Sequence, residues 1–191
     1  NWKGWSKDAP PAAIAPFNAE QAKQHQESWA KHLGVPVEYT NSIGMKFRLI
    51  PPGEFMMGST KEEIELLMHE IPEEDTYWQA CTKSEGPRHA VTLTQPIYLG
   101  ILEVTQVQFQ EVTGQSVRAA PTGVPAVMVS WDDVADFCVK LSRAEQLAPC
   151  YASAGGSFTR TKGTGYRLPT ESQWEFACRA GATTKYWFGD D

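Results

Sequence analysis

A chain of 191 residues with 41% hydrophobic and 21% charged residues can bury the core of one ordinary domain, which excludes wholesale disorder, a collagen-like chain and a disulfide mini-scaffold. The net charge is −6 and no Lys/Arg cluster appears, so nucleic acid is not an expected partner. No apolar run approaches the ~18 residues needed to cross a bilayer, so no membrane span is expected. Opening at Asn1 and stopping at Asp191, the chain reads as cut at both ends.

Residues 1–16, with Trp2, Trp5, Pro10, Pro11 and Pro16, read as a linker. Residues 17–34 form a lead-in helix. Asn18 and Gln21 stand at capping-box spacing, Gly34 is the stop, and Ala22, His25, Trp29 and Leu33 recur at helical spacing. Residues 35–191 then read as a domain. Val37 and Tyr39 alternate with polar neighbours before the turn Asn41-Ser42-Ile43-Gly44, and Met45, Phe47 and Leu49 alternate toward Pro51-Pro52-Gly53. Thr60 and Glu63 cap a short acidic helix ending near His69. Glu70 to Pro87 is polar without a period and reads as a long loop.

His89–Leu93 and Ile97–Leu99 have strand character, and Thr105 with Gln108 opens a helix stopped by Gly114. Pro125–Val129 reads as a strand. Ser130 caps a helix whose Trp131, Val134, Ala135, Phe137, Cys138 and Leu141 mark a core-facing stripe. After a Gly/Ser/Thr-rich hairpin region from Gly155 to Gly165, Thr170 and Gln173 cap a last helix with Trp174, Ala177 and Cys178 as its inner face. Tyr186–Gly189 looks like a strand cut short. Without βαβ alternation, the sum is an α+β, loop-rich domain.

Chemistry-bearing residues are sparse. Cys81, Cys138, Cys150 and Cys178 form no CxxC pair, and His25, His32, His69 and His89 have no metal-ligand spacing; His69 beside Glu70 comes nearest. Arg167, Glu171 and Glu175 could be taken for a charged catalytic set. The structural reading is stronger: Glu171 suits the first turn of a helix, Trp174 is a core anchor, and Arg167 ties loops together. Ser130-Trp131-Asp132-Asp133 is likewise explained by a cap, a packed indole and helix-start acids.

Several segments in order resemble the formylglycine-generating enzyme (sulfatase-modifying factor) family. They are Asn41–Phe47, Ile50–Gly58, Glu103-Val104-Thr105-Gln106, Pro125–Asp133 and, most specific, the run Tyr166–Gly181 with Arg167, Pro169, Glu171, Trp174, Glu175 and Cys178. The resemblance implies a C-type-lectin-like fold of which this chain is the N-terminal part, incomplete at its C-terminus. It also implies exposed apolar surface along Trp174 and Phe188. Enzymes of the family oxidise a sulfatase cysteine to formylglycine with dioxygen, using copper(I) held by two cysteines that none of the four here matches, alongside calcium sites. Copper and calcium are therefore expected only in an intact enzyme-type member, and no catalytic or metal-ligating residue is expected within 1–191. Cys138 and Cys178 match positions that pair, in some members, with later cysteines.

The stretch Pro16–Leu33 resembles the lead-in of bacterial multidomain members, where a module such as a kinase can precede. Two function classes follow for the intact protein. One is an oxidase acting on a sulfatase-type peptide; the other is a non-catalytic peptide- or ligand-binding module. An iron-dependent sulfoxide synthase shares the fold but is disfavoured by the histidine pattern.

Overall fold

The structure, a computed structural model, describes residues 4–115, 123–155 and 157–189. In chain order its elements are β1 (Ala13–Ile14), α1 (Ala19–Leu33), β2 (Glu38–Thr40), β3 (Lys46–Ile50), β4 (Gly53–Met57), α2 (Lys61–Glu70), α3 (Thr76–Ser84), β5 (His89–Leu93), β6 (Ile97–Gly100), α4 (Gln106–Thr113), α5 (Trp131–Ala144), β7 (Tyr151–Ala154), β8 (Ser157–Arg160) and α6 (Glu171–Arg179). Five helices start on a capping box: Asn18 with Gln21, Thr60 with Glu63, Thr105 with Gln108, Ser130 with Asp133 and Thr170 with Gln173. Each box satisfies N–H groups that a helix start leaves without a partner, so local chemistry alone places these helices. Among the described residues no helix is long and apolar enough to cross a membrane.

The chain divides into two compact units. The first comprises Asn1–Val37, Leu49–Ile97 and Thr170–Asp191, the second Glu38–Arg48 and Tyr98–Pro169. In the first, β4 is the central strand of a three-stranded sheet. β1 lies parallel to it, with Ala13 opposite Gly53, and β5 runs antiparallel from Gly53↔Leu93 to Met57↔His89. Phe176 of α6 packs with Ala13, Phe55 and Met57 to form the core. In the second unit Glu38–Thr40 pairs antiparallel with Lys46–Arg48, and Tyr151–Ala154 forms a hairpin with Ser157–Arg160. Its core gathers Met45, Phe47, Phe109, Phe137, Leu141 and Tyr151, with the rings of Phe109 and Phe137 stacked 5.6 Å apart.

Several expectations are corrected. The segment read as a linker contributes β1, and the indole of Trp29 donates to Pro11 O (3.0 Å), fastening it further. Part of the expected loop 70–87 is α3, started by the Asp75 carboxylate accepting from Trp78 N; only Thr82 of this helix is buried, so it carries no apolar period to read. Pro125–Val129 is not a strand: Pro125 makes one bridge to Thr105, and Met128, at φ 60°, turns the chain out of extended geometry. Tyr186–Gly189 is a closed turn rather than a strand, each end donating its N–H to the other's carbonyl.

Gly53 is where the first unit is tightest. A Cβ there would stand 2.1 Å from Ala13 O and 2.6 Å from the Phe176 ring. Gly53→Ala should cost about 2–3 kcal/mol, read as a lower urea midpoint at unchanged slope. A midpoint equal to the parent's would contradict the packing of β1 and α6 on β4.

Candidate functional site

The most family-specific run of sequence places its last part on α6, in the first unit. Successive helical residues are rotated about 100°, so once Phe176 is buried (3% exposed) residues two places either side point the opposite way. Trp174 and Cys178 are consequently on the outer face, and Trp174 is 57% exposed. The expected inner face of Trp174, Ala177 and Cys178 is thereby corrected: Phe176 is the anchor, meeting Phe55 at 5.4 Å.

Glu175 and Arg179, one turn apart, flank that anchor and are both largely buried. Glu175 Oε1 accepts from Arg179 Nε (2.7 Å) and from the backbone N–H of Gly58 (3.0 Å), binding the helix to the end of β4. Arg179 Nη1 donates to Thr184 O (3.0 Å), and Thr184 Oγ1 donates to Tyr186 O (2.6 Å). Through this relay the turn Tyr186–Gly189 is tied back to α6. The turn carries a small aromatic stack: Tyr186 and Phe188 lie parallel at 5.2 Å, with Trp187 edge-on to Phe188 at 5.5 Å. Trp187 is 69% exposed and Phe188 62%. A fixed platform of exposed rings results, supported by a charge pair that faces away from solvent.

The second unit holds a separate polar cluster. The Glu145 carboxylate accepts from Ser42 N (2.9 Å), Ser42 Oγ (2.6 Å) and Tyr166 Oη (2.6 Å). Tyr39 Oη meets Tyr166 Oη at 3.0 Å, and Asn41 Nδ2 donates to Tyr166 Oη (3.3 Å). Burial works to raise the Glu145 pKa, but the hydrogen bonds from Ser42 and Tyr166 together outweigh it and hold the carboxyl below its ordinary value. Tyr166 moves the other way, its hydroxyl held neutral first by burial and then by its bond to Glu145. An acid and a base driven apart in this manner exchange no proton near neutrality, so the cluster acts as a fastener. Sequence reasoning found the Asn41–Gly44 turn and Tyr166 but not Glu145, whose only local signal is its place at the end of α5.

The other singled-out residues have structural surroundings. Arg167 Nη1 donates to Leu168 O (2.8 Å), and Pro169 directly precedes Thr170, the cap of α6. Glu171 lies exposed in the first turn of α6. Trp131 is half-exposed, edge-on to Tyr151 at 5.5 Å. Cys138 is buried, and that burial, with Cys150 nearby, pushes its thiol up to about 12. The Cys150 thiol donates to Gly163 O and Gly165 O (3.2 Å each). Cys81 and Cys178 lie on other helices, α3 and α6. A copper(I) ion needs accessible thiolates, and Cys138, desolvated in an apolar core, is a poor source of one. Among the described residues no three His, Cys, Asp or Glu side chains converge as metal ligands.

Residues 36–191 match the family described as Sulfatase-modifying factor enzyme 1-like domain. The chain is 31% identical over 121 residues to the Chaperone protein LppX of Paenibacillus barcinonensis, an alignment covering 52% of this chain and 41% of that protein. It therefore spans less than half the length of this curated relative. Treponema denticola variable protein 1 has a similar solved structure, with a TM-score of 0.58 and 23% identity over 80% of this chain and 60% of that one. The fold is accordingly the C-type-lectin-like α+β fold.

Glu175→Gln should cost about 2 kcal/mol through loss of charged hydrogen bonds in a partly buried setting, and should speed amide exchange at Thr184–Gly189, where the relay ends. Exchange confined to other regions would show that the turn does not depend on the pair. Because the Glu145 pKa is lower in the folded state, its stabilisation is present above the unfolded value of 4.5 and is lost as pH falls through the lower folded value. Thermal melting of Glu145→Gln should thus lie below the parent's at neutral pH and converge with it as pH falls below 4.5.

Proposed function

The chain belongs to the sulfatase-modifying factor family, and on that premise we propose that its domain is a non-catalytic polypeptide-binding module whose aromatic platform receives an apolar segment of a partner chain. One observation carries this reading. In the segment most characteristic of the family, Glu175, Arg179 and Arg167 are engaged with backbone groups, while Trp174 and the rings of the following turn are held in solvent. Charges used in this way position structure; rings displayed in this way supply contact area at small entropic cost. Covering three such rings is worth on the order of 10 kcal/mol gross, and association consumes most of it, which puts the expected affinity in the micromolar range. The similarity to a protein named as a chaperone agrees with polypeptide binding.

A second reading comes from the family description over residues 36–191: the intact protein is an oxidase converting a cysteine of a sulfatase-type peptide to formylglycine. In that reading copper and calcium are held by residues other than those described. An upstream module such as a kinase is compatible with either.

A permanently unfolded polypeptide, reduced and carboxymethylated α-lactalbumin, should bind the chain with micromolar Kd by fluorescence anisotropy. Trp187→Ala and Phe188→Ala, whose exposed rings should leave melting unchanged, should each weaken it about tenfold, a loss of about 1.4 kcal/mol. Binding that ignores both substitutions, or no binding, sinks the module reading. Conversion of a sulfatase-derived cysteine peptide to the aldehyde under dioxygen and copper(I), followed by mass spectrometry, would replace it with the oxidase.

A further inference from the structure

Between β4 and β5 the first unit inserts two helices that contribute little to its core. No residue of α2 is buried, and only Thr82 of α3 is. From Lys61 to Asp75 the chain carries seven carboxylates and one ammonium group, an excess of six. That equals the net charge of the whole chain, −6, so everything outside this stretch is balanced and the negative field is concentrated here.

Some of these charges have local work. Glu63 closes the α2 capping box, Asp75 caps α3, and Lys61 pairs with Glu65 at 3.5 Å in full solvent, where such a pair is worth little. Glu62, Glu70, Glu73 and Glu74 remain exposed. Directly after Glu73-Glu74-Asp75, Tyr77 and Trp78 are 70% and 59% exposed, their rings edge-to-face at 5.6 Å, and Leu66 of α2 is exposed as well. Gln79 Nε2 donates to Pro72 O and Glu73 O (3.2 Å each), and Asp75 N donates to Pro72 O (3.0 Å), so the acidic turn and the aromatic pair are held together. Ser59 anchors the base of the insertion through its N–H to Glu85 O (2.9 Å) and its hydroxyl to the Glu85 carboxylate (2.9 Å).

We propose that the α2–α3 insertion is a docking surface for a basic segment of another polypeptide, with lysine or arginine side chains flanking an apolar one. Charge complementarity selects this occupant. A second copy of the chain would bring the same negative field to the interface, and an anionic bilayer or a nucleic acid would be repelled. The exposed carboxylates attract the cations, Tyr77 and Trp78 offer ring faces to them, and Leu66 offers apolar contact. This surface is separate from the Trp174–Phe188 platform and does not rest on the function proposed for it.

The test uses the whole chain and three labelled peptides: one of lysine, leucine and tryptophan, its glutamate counterpart with the same apolar residues, and one of lysine and glycine only. The first should bind with micromolar Kd at about 50 mM salt and weaken roughly tenfold by about 300 mM, as screening predicts. The other two should bind at least about tenfold more weakly. Trp78→Ala should raise Kd for the first peptide about tenfold, and Glu73→Gln with Glu74→Gln should flatten the salt dependence. These substitutions alter exposed side chains, so melting should not move, and Trp187→Ala should leave this Kd unchanged. Equal affinity for all three peptides, indifference to the insertion variants, or sensitivity only to Trp187→Ala would overturn the proposal.

Discussion

The first unit is organised by the burial of one ring over one glycine. Phe176 sits on Gly53, where there is no room for a Cβ, and Ala13 closes the same position from the parallel strand β1. Once that residue is inward, helical geometry leaves no freedom for the others. Trp174 and Cys178 go outward, and Glu175 and Arg179 fall on the flank, where the end of β4 supplies the Gly58 N–H and the following turn supplies the Thr184 carbonyl. The exposure of Trp174 is therefore a consequence of core packing: it is outside because a different ring is inside.

Both units use carboxylates in the same way. Glu175 accepts a backbone N–H and a guanidinium; Glu145 accepts a backbone N–H and two hydroxyls. Each carboxylate has oxygens enough to gather donors from chain segments far apart in sequence, 117 residues in one case and 103 in the other. Carboxylates engaged in this way hold distant chain segments against one another, and in Glu145 the same donors keep the carboxyl below its ordinary value. Cys138 and Cys150 lie in the apolar core of the second unit, where a thiol packs as a small hydrophobe.

Two exposed surfaces of the first unit differ in kind. The platform after α6 is rich in rings, while the α2–α3 insertion combines rings with the chain's entire excess of negative charge. The first suits apolar polypeptide, the second basic polypeptide, and the two can be addressed by separate substitutions. The turn after α6 and the α2–α3 insertion both lie outside the sheet, in the kind of segment that commonly carries binding residues on a rigid scaffold.

Local chemistry was readable from the sequence alone. Asn18–Gln21, Thr60–Glu63, Thr105–Gln108 and Thr170–Gln173 mark helix starts because a cap is a contact between residues three apart. The motifs from Asn41 to Gly181 carried the family and its C-type-lectin-like fold for the same reason: they are contiguous strings. Tertiary structure alone decided the rest. That Phe176, not Trp174, enters the core depends on Gly53, more than a hundred residues earlier. That Glu145 belongs with Ser42 and Tyr166 depends on three distant segments converging. Contacts between residues remote in sequence leave no pattern in either neighbourhood, whereas a cap or a turn writes its whole interaction into adjacent positions.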